Sequence, residues 1–148
     1  MQYENYPAFH IADDLSLFEF ISVGKKGSIL KRIAFMRTKK TGVYNLAFGD
    51  IDENGEIDDL TISGNGDRNK VLATVAKAVD EYTTKYPRRS IIFSGSTMER
   101  TRLYRMAIGL NLAELSLKFD IYGQIGEELL PFYKNMPAIA FVIKKKNV

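Results

Sequence analysis

A chain of 148 residues, 45% hydrophobic and 26% charged, is long enough to bury its own core and too apolar to stay unfolded. It has no cysteine and one histidine, His10, which excludes disulfides, thiolate chemistry, cysteine-bound zinc and any multi-histidine metal site within one chain. The formal net charge of +3, from 21 basic and 18 acidic side chains, is too small an excess to imply nucleic acid as a partner.

No apolar stretch approaches the roughly 20 residues of a membrane span, and the N-terminus lacks the basic and apolar regions of a signal peptide. A cytoplasmic protein of bacterial type, with no membrane and no metal, is the expectation. No repeat or linker interrupts the sequence, so residues 1–148 read as a single α+β domain. Its predicted architecture is a mainly antiparallel β-sheet with two principal α-helices.

Residues 17–23 and 28–36 are rich in β-formers and flank Gly24-Lys25-Lys26-Gly27, the pattern of a hairpin. A third strand is predicted over 43–50 and a fourth over 60–63. Val71, Leu72, Val75, Val79 and Tyr82 then recur at helical spacing, predicting a helix over 68–86 with Asp67 as N-cap and Pro87 as its stop. Ser90-Ile91-Ile92-Phe93 reads as a short central strand. Ser96-Thr97-Met98-Glu99 fits a capping box that opens a second helix, with Gly109 as terminator. A strand over 115–122, a short helix over 127–134 and a closing strand over 138–145 complete the order.

Three segments carry chemistry. Asp50-Ile51-Asp52-Glu53-Asn54-Gly55-Glu56-Ile57-Asp58 matches the opening of a calcium loop, but Thr61 stands where the bidentate Glu belongs and the flanks read as strands. An acidic β-turn accounts for the same letters. Ser63-Gly64-Asn65-Gly66-Asp67-Arg68-Asn69-Lys70 is a glycine-rich loop opening onto a helix. Its Ser63, Gly64, Gly66, Arg68 and Lys70 form a candidate phosphate cradle, against the plainer reading of a connector with a capping Asp.

In the third segment, Ser94, Ser96 and Thr97 run from a strand end into a helix start, with Arg100 and Arg102 close behind. Arginine in a first turn opposes the helix dipole unless an anion or a carboxylate offsets it. These five residues are therefore candidates for binding an anionic substrate, the alternative being a well-capped helix whose arginines pair with acids elsewhere. Gly95 would let the backbone approach that ligand closely.

From its second strand onward, this order of elements resembles the GNAT acyltransferase layout of antiparallel strands, pyrophosphate-loop helix, strand, second helix and two strands. Residues 54–63 are similar to the turn and strand before the GNAT cofactor loop. Arg100-Thr101-Arg102-Leu103-Tyr104-Arg105 resembles the second helix, whose R-x-L-Y-like pattern carries a tyrosine near the thioester sulfur. The resemblance implies acetyl-CoA as cofactor, acyl-CoA binding or N-acetyl transfer as activity, and Tyr104 as the general acid. Lys70 and Leu72 stand where the family's R/Q-x-x-G-x-G/A loop has glycines, which implies a degenerate cofactor loop. The G-S-T-x-x-R-T-R-L-Y run is also similar to a small bacterial domain family with no assigned activity. The alternative expectation is a non-catalytic interaction domain, one member of a bacterial protein pair.

Overall fold

The computed structural model describes residues 4–58, 64–95 and 97–146. The chain divides into two compact units, interleaved in sequence. The first takes in Gln2–Met36 and Leu46–Tyr82, the second Arg37–Asn45 and Thr83–Val148. The secondary structure is mixed α+β, mostly strands with few helices.

The first unit contains β1 (His10–Ile11), β2 (Leu17–Gly24), β3 (Gly27–Arg37), β5 (Ile57–Asp58), most of β4 (Val43–Ile51) and most of helix α1 (Arg68–Lys85). The strands run in the order β1-β2-β3-β4, with β5 paired to β4. The β2–β3 register sets Phe18 opposite Ile33, Phe20 opposite Lys31 and Ser22 opposite Ile29. Because strand side chains alternate between faces, Phe18, Phe20 and Ser22 are buried while Ile21 and Val23 stay exposed. Tyr82 of α1 stacks on Phe35 at 4.0 Å between ring centroids, and Tyr6 of the N-terminal segment stacks on Phe20 at 5.6 Å. Lys31 also lies on the buried face, where its ammonium pairs with Asp50 of β4.

The second unit contains β6 (Ser90–Phe93), α2 (Met98–Leu110), α3 (Leu112–Leu115), β7 (Phe119–Ile125), β8 (Glu128–Pro131) and β9 (Ala140–Lys145). The start of β4 leads the order β4-β6-β9-β7-β8. Val43, Tyr44 and Asn45 pair in parallel with Ser90, Ile91 and Ile92, and the other pairings are antiparallel. Ile91, Phe93, Ile121, Met136, Phe141 and Ile143 are buried.

The hairpin, the third strand, both principal helices, the strand at 90–93 and the closing strand lie where the sequence predicts them. The expected strand at 60–63 lies outside the described residues. Three expectations are corrected. The chain over 112–115 is a short helix, so the strand expected from Leu115 begins at Phe119. Gly109 lies inside α2, which ends at the cap residue Asn111. Residues 128–131 form an edge strand instead of part of a short helix. Gly126, at φ +60°, turns the chain back so that Leu130 pairs with Gly123 and Pro131 with Tyr122. Proline is tolerated there because an edge strand does not need every N–H.

The acidic segment 50–58 is the turn between two antiparallel strands, with Asp50 opposite Asp58 and Gly55 at φ +78°. Asp52 organises it, its carboxylate accepting the N–H groups of Asn54 at 2.9 Å and Glu56 at 3.0 Å. With Asp50 held by Lys31 and Asp52 by the turn, two of the expected calcium ligands already have partners. Calorimetric titration of calcium into chelator-treated protein should show no heat of binding in the micromolar range, where sensor loops bind.

Candidate functional site

The loop before α1 is fixed by two side chains. Asn65, 3% exposed, donates through Nδ2 to Ser22 Oγ at 3.1 Å and to the Gly27 carbonyl at 3.0 Å. Its Oδ1 accepts the Lys26 N–H at 2.7 Å, and its own carbonyl accepts the Lys25 N–H at 3.3 Å. The fit leaves no room at Gly24, where a Cβ would stand 1.9 Å from the Asn65 oxygen. The second anchor is Asp67, whose Oδ2 accepts both the Ser22 and the Tyr6 hydroxyls. Tyr6 Oη in turn accepts the Val23 N–H at 3.1 Å, and the Tyr6 N–H donates to Thr74 Oγ1 at 2.8 Å. Loop, hairpin, N-terminal segment and helix thus share one polar network.

Asp67 holds the N-cap position of α1, as expected, and its carbonyl accepts the Val71 N–H at 3.0 Å, but its side chain does not bond to the helix. Its carboxylate is turned toward Tyr6 and Ser22, and among the described residues no α1 amide donates to it. Burial pushes the Asp67 carboxyl up. The Ser22 and Tyr6 hydroxyls, its own N–H and the Lys31 charge outweigh burial and hold it below the ordinary 3.8. Burial, then the bond to Asp67, push the Tyr6 phenol up, so it remains a donor.

With the loop so anchored, a surface depression of about 750 Å³ opens over it, lined by Glu4, Lys25, Gly64, Gly66, Arg68 and Lys70 together with Asp67 and Asn69. Gly64 and Gly66 both have positive φ, +56° and +82°. The first turn of α1 contains no acid, and Val71 is its first amide to bond back, to Asp67 O at 3.0 Å. The amides before it have no intrahelical acceptor. Lys70 Nζ sits 4.3 Å from the centroid of the Tyr6 ring. Four of the five residues expected to form the cradle therefore line one depression. The fifth, Ser63, lies outside the described residues. Lys25 and Glu4 are lining residues that the sequence does not mark as such; the basic pair inside Gly24-Lys25-Lys26-Gly27 is the one signal for the first of them.

The other candidate segment lies in the second unit. Thr97 is the N-cap of α2, with φ −130° and ψ 162°, and its Oγ1 accepts the Arg100 N–H at 3.2 Å. The helix starts one residue later than expected, so Arg100 and not Glu99 stands at N3 and the capping box does not form. Ser96 lies outside the described residues. Gly95 approaches the chain itself: a Cβ there would stand 2.3 Å from the Thr101 nitrogen. Thr101 Oγ1 seals the contact, accepting the Gly95 N–H at 3.2 Å and donating toward Thr97 O at 3.0 Å. The space assigned to a ligand beside Gly95 is occupied by the first turn of α2. Ser94 and Arg102 are exposed, and Arg100 is half-buried with partners of its own. Tyr104 is half-buried, its ring edge-on to Phe93 at 5.6 Å.

A family model, "Family of unknown function (DUF6934)", matches residues 2–146, and the chain belongs to that family. No curated protein and no solved structure matches it.

A carboxyl held low in the folded state contributes stability that is complete above its unfolded value and is lost as pH falls through the folded one. Urea midpoints measured from pH 6 downward should therefore drop more steeply for the parent than for Asp67→Asn, and Tyr6→Phe should cost about 1.5–3 kcal/mol at neutral pH. Gly95→Ala should cost about 1–3 kcal/mol in the same assay, because the added methyl overlaps helix backbone that cannot move independently.

Proposed function

We propose that this chain is a GNAT-like acyl-CoA-binding domain with a degenerate cofactor loop, and that it takes the phosphates of acetyl-CoA at Gly64, Gly66, Arg68 and Lys70. The observation that carries the reading is the depression over the start of α1, whose first turn contains no acid. The residues fit a phosphate group. Two glycines without a Cβ leave the backbone approachable, the first amides of α1 have no intrahelical acceptor, and Lys25, Arg68 and Lys70 outnumber the carboxylates of Glu4 and Asp67. With β5, α3 and β8 set aside, the order β4, α1, β6, α2, β7, β9 supports the reading.

Acetyl-CoA bound there would supply an activated acyl group. Considered by itself, the second unit offers Tyr104, whose place in the R-x-L-Y-like pattern implies a general acid for a thiolate leaving group. The Tyr104 ring packs edge-on against Phe93. Of the second candidate segment, the exposed Ser94 and Arg102 would meet an anionic group.

A second reading, a non-catalytic interaction domain, is favoured by one observation. Met98, Met106 and Leu110 of α2 are 90%, 46% and 75% exposed. Met106 and Leu110 are i,i+4 neighbours on one face of the helix.

Thermal unfolding with and without coenzyme A separates the two. A ligand at a hundred times its dissociation constant stabilises the native state by about 2.7 kcal/mol, so the midpoint should rise and saturate. Arg68→Ala should weaken binding by about 1.5–3 kcal/mol. Tyr104→Phe should leave binding intact and lower any transfer rate. An unchanged midpoint at millimolar coenzyme A would remove the acyl-CoA reading and leave the interaction domain.

A further inference from the structure

The chain-wide charge of +3 conceals two units of opposite sign. The second unit, Arg37–Asn45 with Thr83–Val148, holds fourteen basic and five acidic side chains, a net of nine positive charges. The first holds seven basic and thirteen acidic, a net of six negative. Along the sequence the segments alternate, so the sum cancels.

Within the second unit the bases collect at one end of the strands. The register sets Val43 beside Ser90, Ser90 opposite Lys144, and Phe119 opposite Lys145. The starts of β4, β6 and β7 and the end of β9 therefore share one edge of the sheet. Two backbone bonds tie the flanking loops together there, Ser90 N to Gly42 O and Lys146 N to Lys118 O, both 2.9 Å. Lys40 precedes β4, Arg88 precedes β6, Lys144 is the last residue but one of β9 and Lys118 precedes β7, and all four are exposed. Asp120, opposite Lys144, is the acid that stands among them. Arg89 is held in place, its guanidinium 3.7 Å from the Tyr86 ring and 4.2 Å from the Tyr44 ring. Lys145 donates to Thr84 Oγ1 at 2.7 Å.

We infer that this rim binds the phosphate backbone of duplex nucleic acid without reading its sequence, independently of the depression in the first unit. The shape of the patch argues for the occupant. Four strand ends at a spacing of about 4.8 Å make a row about 14 Å long. A duplex strand places one phosphate per roughly 3.4 Å of axis, so the row meets about four phosphates. A line of charge suits a linear polyanion, whereas an anionic membrane presents a plane.

Fluorescence anisotropy of a labelled duplex DNA of random sequence, titrated with the full chain at several salt concentrations, tests this. About four phosphate contacts predict a slope of log K against log salt of about −3 to −4. The double variant Arg88→Glu, Lys144→Glu should weaken binding at least tenfold and flatten the slope by about two. Lys77→Glu, an exposed charge change in the first unit, should do neither. Three results would overturn the inference: no salt-dependent binding by the parent, equal weakening by Lys77→Glu, or binding to phosphatidylserine vesicles with none to the duplex.

Discussion

The candidate site depends on one buried side chain, Asn65. Its amide donates twice and accepts once, so all three bonds are satisfied in a single orientation, and its carbonyl takes a fourth. A buried amide without partners is costly, which makes the satisfied arrangement strongly preferred over a shifted one. That preference holds the glycine loop against the β2–β3 hairpin and brings Lys25 over it. Gly24 is the complement of Asn65, since any side chain there would meet the Asn65 carbonyl.

Asp67 extends the same constraint to the N-terminal segment. A hydroxyl has one proton to give, and both Tyr6 and Ser22 give theirs to this carboxylate. Tyr6 also stacks on Phe20 and bonds to Thr74, so the segment is pinned by ring packing and by polar contacts together. In the second unit, Gly95 and Thr101 do for α2 what Gly24 and Asn65 do for the loop. In both places a glycine is required by the close approach of the chain's own backbone. The two glycines of the loop, Gly64 and Gly66, differ, because positive φ is what requires them and no backbone crowds them.

Much of this was legible in the residues. The β-forming residues of 17–23 and 28–36, joined by the short Gly24-Lys25-Lys26-Gly27 loop, mark the hairpin. Helical spacing from Val71 to Tyr82 marks α1. The cradle residues were legible because glycines ahead of basic residues at a helix start leave both backbone amides and positive charge open to an anion. Failures came where local letters fit two structures. Glu127 to Lys134 has helix-forming residues, yet pairing with β7 makes part of it an edge strand. Ser96 and Thr97 are both good caps, and which one starts the helix depends on where Gly95 meets Thr101.

The residues alone settled the α+β class, the principal elements and the absence of any cysteine chemistry, because period and composition are local properties. It took the folded chain to turn Asp67 toward Tyr6 and Ser22 instead of the helix, and to bring Lys25, remote in sequence, onto the glycine loop. The charge pattern is likewise a product of folding. The chain returns to the second unit at Arg37 and again at Thr83, so charges intermixed along the sequence are sorted in space. A sum over the sequence cannot detect that sorting, because electrostatic potential depends on distance and not on order along the chain.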